Sequence, residues 1–176
     1  MAFSEPKKII DDFGIREGVT VVDLGAGTGF YTLAAAEAVG DYGKVYAVDV
    51  QQDLLSRIKT TAHIRHLKNI EVIHGDMEQL GGTHLKDNIA DVGIAGNVLY
   101  QIEHKEDFVH EVFRILKSGA RLLLVDWVDS FGGLGPQPEF VVTSSQAREL
   151  FEKNGFNFVS GIVAGDHHYG LIFRKP

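Results

Sequence analysis

VVDLGAGTGFYTLA, residues 21 to 34, runs from a strand-like apolar segment through three glycines into a helix-like segment. A strand that ends in a glycine turn and opens a helix presents backbone N–H groups where negative charge is favoured. The spacing decides which ligand the turn suits. A Walker-type phosphate loop needs four residues between its first glycine and a Gly-Lys-Ser/Thr ending, and no lysine occurs from Asp23 to Asp41. The dinucleotide fingerprint needs glycine or alanine at the sixth position counted from Gly25, and that position is Phe30. What stands here is G-x-G-x-G over Gly25, Gly27 and Gly29, with Asp23 on the preceding strand. A cofactor with an amino acid tail suits such a turn better, its carboxylate using the helix N-terminus and its ammonium an acid such as Asp23.

Outward from this turn, short β-branched runs alternate with longer amphipathic stretches, the pattern of an α/β protein with a parallel sheet. The pattern predicts helices at about Glu5 to Phe13, Tyr31 to Val39, Asp53 to Leu67 and Lys105 to Leu116. It predicts strands at about Thr20 to Leu24, Lys44 to Val48, Ile70 to His74, Ile89 to Ala95 and Arg121 to Asp126, with a glycine-broken segment from Met77 to Lys86. The turn Lys117-Ser118-Gly119 is expected to close the helix before the fifth strand, with glycine as a left-handed cap. Residues 128 to 142, rich in glycine and proline, read as a long loop. Thr143, Ser144 and Ser145 offer N-caps for a helix to about Asn154, stopped by Gly155. Two strands, about Asn157 to Val163 and Tyr169 to Arg174, flank a tight AGDHH turn, so the last strand is expected to run antiparallel.

The chain has 176 residues, 44% of them hydrophobic, and one domain over residues 1 to 176 is expected. The net charge of −7 argues against a broad basic surface and a nucleic-acid partner, while leaving room for a local patch. No cysteine is present, which excludes disulfides, thiolate metal sites and a cysteine nucleophile. His63 and His66, and His104 and His110, match no ligand spacing, so no metal is expected. The amino terminus carries charges where a signal peptide needs an apolar core, and no apolar run approaches the length of a membrane span, so a cytoplasmic protein is expected.

VVDLGAGTG resembles the first motif of the class I S-adenosylmethionine-dependent methyltransferases, and the likeness continues along nearly the whole chain. In VYAVDV, Asp49 stands 24 residues after Gly25, where the family has an acid that accepts both ribose hydroxyls. In HGDME, the resemblance implies that Asp76 accepts the adenine amino group and that Met77 packs on the ring face. The family counterpart of AGNVLYQI runs past the methionine moiety, so the resemblance implies that Asn97 lies in the cofactor site, and FRILKSGARLLLVDW looks like the family's helix, glycine turn and fifth strand, with Ser118 where proline is more usual. The resemblance thus implies a Rossmann-like seven-stranded sheet, mostly parallel with an antiparallel last strand and helices on both faces. It implies S-adenosyl-L-methionine as cofactor, held by Asp23, Gly25, Ala26, Gly27, Asp49 and Val50 together with Asp76, Met77 and Asn97.

Ligands of open α/β sheets bind beyond the carboxyl ends of the strands, which selects the loops carrying Asn97 and Tyr100, Asp126 and Trp127, and Asp166, His167 and His168. Tyr100, Trp127 and His168 are the candidate substrate contacts, although the two aromatic residues also suit packing under a loop. His167 and His168 are the candidate bases, because an imidazole titrates near neutral pH; their alternative is a place in a turn. The chain lacks the Asn-Pro-Pro-aromatic run of enzymes that methylate exocyclic amines, and the cysteines of the arsenite-methylating branch. It resembles instead the compact small-molecule methyltransferases of the quinone-biosynthesis type. Three arrangements stay open: an open cleft, a cleft covered by residues 1 to 13 and 128 to 142, or one completed by a second subunit in a homodimer. A catalytically inactive cofactor-binding domain with a regulatory or scaffold role is the alternative function, and a dinucleotide oxidoreductase, disfavoured by Phe30, is a third.

Overall fold

Pro6 fits the first turn of a helix because its missing N–H is an orphan there, and Gly14 ends that helix at φ 69°, its N–H donating to the Ile10 carbonyl. This is α1, Pro6–Phe13. The computed structural model describes residues 5–130 and 133–176. Strands β1 (Thr20–Leu24), β2 (Lys44–Asp49), β3 (Ile70–His74) and β4 (Ala90–Gly96) alternate with helices α2 (Phe30–Val39), α3 (Gln52–Ile64) and α4 (Lys105–Ile115). Then follow β5 (Leu116–Trp127), α5 (Ser144–Lys153), β6 (Asn157–Val163) and β7 (His168–Arg174).

The seven strands form one sheet in the order β3-β2-β1-β4-β5-β7-β6. β1 to β5 pair in parallel, while β7 is antiparallel to both β5 and β6, which leaves β6 parallel to the rest. Alternate side chains of each strand face opposite layers. Val21, Val45, Ile94 and Leu123 pack with Ile9, Ile10 and Phe13 of α1 and the alanine-rich α2. Ala47 packs with Leu55 and Ile58 of α3. On the other face Val22, Leu24, Leu122 and Leu124 meet Phe108, Val109, Val112 and Ile115 of α4 and Ala147 and Phe151 of α5. Helices therefore cover both faces, and the seven-stranded expectation holds.

Thr143 is the residue that caps α5: its hydroxyl accepts the Gln146 N–H, and the Gln146 side chain accepts the Thr143 N–H at 2.9 Å. Three expectations need correction. α3 ends at Ile64 rather than Leu67, because His66 takes the left-handed conformation at φ 58° and Leu67 N–H turns back to the Ala62 carbonyl. Lys117-Ser118-Gly119 is not a helix cap: α4 stops at Ile115, Leu116 already pairs with Ala90, and Gly119, at φ 80°, donates to the Lys175 carbonyl. The segment is an irregularity within β5 that restores pairing at Val92 with Arg121. His168 lies not in the hairpin turn but on β7, opposite Trp127 of β5.

Candidate functional site

The strand order brings the carboxyl ends of β1 to β5 and the start of β7 to one edge, where a cleft of about 820 Å³ opens. This lies in the range of small-molecule sites, about 300 to 1,000 Å³. Gly25, Ala26 and Gly27 after β1, Asp49 and Val50 after β2, Asp76 and Met77 after β3, Asn97 and Tyr100 after β4, Trp127 of β5 and His168 of β7 all line it. Two expected residues do not. Asp23 is buried behind the turn, where its carboxylate accepts the Thr32 hydroxyl at 2.5 Å. His167 faces Asp129, with Nδ1 3.2 Å from the carboxylate.

Asp49 organises the glycine turn. Its Oδ2 accepts the Gly27 N–H and its Oδ1 the Gln51 N–H, each at 2.8 Å, so each oxygen of this cleft-lining residue keeps acceptor capacity. Gly25 and Ala26 donate to the Val48 carbonyl at 2.9 and 3.0 Å, and Gly29 donates to Ala26. Few N–H groups of the turn remain for a pyrophosphate, a physical reason beyond Phe30 why a dinucleotide suits it poorly. Gly25 has φ 72°, and a Cβ there would come within 2.6 Å of Val98 Cγ2 and 3.8 Å of Met77 Cε. Its missing side chain thus keeps the floor of the cleft low between Met77 and Val98.

Asp76 is held by the Glu78 N–H at 2.9 Å and the Gln79 side-chain amide at 2.7 Å. Glu78 in turn accepts the N–H groups of Glu103 and His104 at 2.8 Å, tying the segment after β3 to the start of α4. Behind this segment the fully buried Glu111 accepts the Thr83 hydroxyl, the Gly81 and Thr83 N–H groups and the Arg114 guanidinium. These hydrogen bonds outweigh burial and hold its carboxyl at about 2.

At the other end of the cleft, Asn97 is a non-glycine residue at φ 56°, pinned by its N–H to the Val125 carbonyl at 2.7 Å. Its Oδ1 is buried and has no hydrogen-bond partner among the described residues. Neither ring nitrogen of His168 has one among the same residues. The His168 ring lies 4.3 Å from that of Trp127, tilted by 42°. Burial, then the neighbouring His167, lowers the His168 pKa, so the imidazole stays neutral near pH 7. Asp126 does not line the cleft; it accepts the Leu99 and Trp127 N–H groups at 2.8 Å and bolts the turn after β4 to β5. Burial raises its carboxyl to about 6.

Sequence reasoning missed Tyr31, Gln51, Glu78 and Val98, all of which line the cleft. Tyr31 had a signal in Gly96: a Cβ there would come within 2.5 Å of the Tyr31 ring, and a glycine ending a strand marks such a close approach. Of the two expected covers, Glu5 and Pro6 belong to the first, whose residues 1–4 lie outside the described residues. In the second, residues 131 and 132 lie outside them too, and Gly135 packs on Trp127, where a Cβ would come within 2.7 Å of the indole. The lining holds four carboxylates, Glu5, Asp49, Asp76 and Glu78, and no lysine or arginine among the described residues. Burial, with Asp49 adding repulsion, raises Asp23 behind them to about 7.

Among the described residues no helix is long and apolar enough to cross a membrane. The family model described as "Methyltransferase domain" matches residues 15–170. The chain is 33% identical over 119 residues to the ubiquinone/menaquinone biosynthesis C-methyltransferase UbiE of Salmonella arizonae, covering 67% of this chain and 46% of that relative. It therefore spans about half the length of the curated relatives it matches. A SAM-dependent methyltransferase from Aquifex aeolicus superposes with a TM-score of 0.87 at 29% identity, over 97% of this chain and 89% of that one. The [4+2]-cyclase SpnF superposes at 0.82 with 17% identity over 97% and 80%, a likeness of fold alone. This chain belongs to the methyltransferase-domain family, the class I S-adenosylmethionine-dependent methyltransferases.

Proposed function

We propose that this chain moves the methyl group of S-adenosylmethionine onto a small, flat, uncharged acceptor, and that the methylated atom is carbon. The observation that carries the reading is the lining of one cleft in strand order: Asp76, Asp49, Gly25, Asn97, Trp127, His168. Three strand spacings separate Asp49 from Trp127, about 14 Å, which leaves a nucleoside at one end and a reacting group at the other. The residues suit the cofactor: the low floor at Gly25 would admit its tail, Asp49 would offer lone pairs to ribose hydroxyls, Asp76 and Met77 would hold adenine, and Asn97 Oδ1, without a partner among the described residues, would take its ammonium. S-adenosylmethionine supplies an electrophilic methyl on a sulfonium.

The acceptor end has Trp127 and Tyr100 as flat apolar walls and His168 as a neutral base. Transfer breaks the sulfur–methyl bond and forms a carbon–methyl bond, and the proton lost by the acceptor goes to a ring nitrogen of His168. Carbon as the acceptor atom is supported by the C-methyltransferase activity in the name of the Salmonella relative. Four lining carboxylates, with no lysine or arginine among the described lining residues, repel an anionic acceptor.

Isothermal titration with S-adenosylhomocysteine, then mass-spectrometric turnover of neutral phenols and quinols beside carboxylated counterparts, tests this. Saturable binding, methylation of the neutral compounds and poor use of the acids are expected. His168→Asn is expected to lower kcat about 100-fold or more with cofactor affinity retained. Cofactor binding without turnover across the panel would instead favour the regulatory alternative.

A further inference from the structure

The opposite edge of the sheet carries a second cavity of about 460 Å³, outside the cofactor cleft. It forms where Gly14 and Arg16 approach β1, where β4 begins at Asp91 and Val92, beside the irregular stretch Lys117 to Arg121 of β5, and where β7 ends at Arg174. Four cations line it, Arg16, Lys117, Arg121 and Arg174, against one carboxylate, Asp91. That carboxylate is committed: Oδ1 takes Lys117 Nζ at 2.7 Å and Oδ2 takes the Thr20 N–H at 2.9 Å.

Arg121 is fixed but not neutralised. Its Nη1 and Nη2 donate to the Phe13 and Gly14 carbonyls at 3.0 and 2.7 Å, and its guanidinium lies 4.3 Å over the Phe13 ring. Uncharged acceptors orient a guanidinium without cancelling its charge. Burial and then repulsion from Arg16 and Arg174 depress its pKa, so the three charges feel one another. Ser118, also on the wall, donates its hydroxyl to the Pro176 carbonyl. Three guanidinium groups gathered beside a single carboxylate already committed to Lys117 and Thr20, among the described residues and in a chain of net charge −7, are the reverse of the ion-paired cations elsewhere on this surface.

We propose that this cavity binds a soluble small molecule through a phosphoryl dianion. Guanidinium groups match phosphoryl oxygens with paired N–H donors, and a dianion offsets a cluster that one carboxylate would leave largely unpaired. The volume suits a small ester, and the acidic remainder of the chain opposes an extended polyanion. The site stands at the far ends of the strands β4 and β5 whose carboxyl ends supply Asn97 and Trp127 to the cleft.

The test titrates the full chain with inorganic pyrophosphate at low ionic strength, following backbone amide shifts by NMR. Saturation below about 1 mM, with shifts at Gly119, Arg121 and Arg174 and none at Gly25 or Asp49, is expected. The double variant Arg16→Ala, Arg174→Ala, which leaves the Arg121 contacts intact, is expected to bind at least about tenfold more weakly while its S-adenosylhomocysteine affinity is unchanged. Equal binding by wild type and double variant overturns the proposal. So does reproduction of the shifts by sodium chloride at matched ionic strength, or by malonate with the same affinity.

Discussion

The two ends of the parallel strands carry opposite charge for the same physical reason. Among the described residues, four carboxylates and no lysine or arginine line the cleft at the carboxyl ends, and three arginines gather without a free carboxylate at the amino ends. Burial, and after it repulsion from like neighbours, raises Asp23 to about 7 at one end and depresses Arg121 at the other. Between them lies a third cluster that differs from both. Glu111 and Arg114 are paired, hydrogen-bonded and complete within the chain, and they fasten the segment after β3. A compensated buried charge marks architecture, whereas an uncompensated group of one sign marks a place where the chain awaits a counter-charge.

The sharpest way to break this contrast is Asp49→Ala. It removes a charged acceptor at the heart of the cleft and is expected to weaken S-adenosylhomocysteine binding by about 2 to 4 kcal/mol, measured by calorimetry. Unchanged affinity would mean that the acidic end does not hold the ribose. Gly25→Ala comes next: the left-handed backbone and the contact with Val98 predict a stability loss of about 1 to 3 kcal/mol in urea melts, with cofactor binding also reduced.

Asp23 supplies a pH-dependent test. Its folded pKa of about 7 exceeds its unfolded value near 3.8, so the folded state holds the extra proton between them. Its contribution to stability is therefore full below about pH 4 and lost as pH rises through about 7. Above about pH 6, where the buried Asp126 no longer contributes, Asp23→Asn is expected to flatten the slope of melts recorded from pH 6 to 8; an unchanged slope there would show that Asp23 does not carry it. The smallest effect is expected at the other end. Arg174→Ala, at an exposed position, should change stability by no more than about 0.5 kcal/mol, in the stabilising direction at low salt and vanishing as salt is added. A loss that salt does not alter would mean that Arg174 packs rather than repels.

What could be read in the sequence follows the locality of each feature. Asp49 and Asp76, at strand ends, were reached through the family resemblance of VYAVDV and HGDME, while Gly25 and Gly27 sit where a strand ends and a turn begins, so glycine spacing found them without knowledge of distant partners. Asp23 was drawn from the same motif, yet its side chain points to Thr32 behind the turn, which spacing along a strand does not reveal. His168 looked like a turn residue because only strand register sets it opposite Trp127. Gly119 looked like a helix cap because its positive φ was legible while its partner, Lys175, was 56 residues away. The arginine cavity was invisible, since Arg16, Arg121 and Arg174 come from separate stretches and the net charge pointed the other way.

β7 has a consequence for the economy of this design. His168 begins the strand inside the cleft and Arg174 ends it at the arginine cavity, six residues and about 20 Å apart on the same face of the sheet. A slip of one residue against β5 would turn both side chains to the opposite layer together. Two chemistries at opposite poles of the molecule are thus written in a single register, and a chain with β7 misaligned would lose both at once.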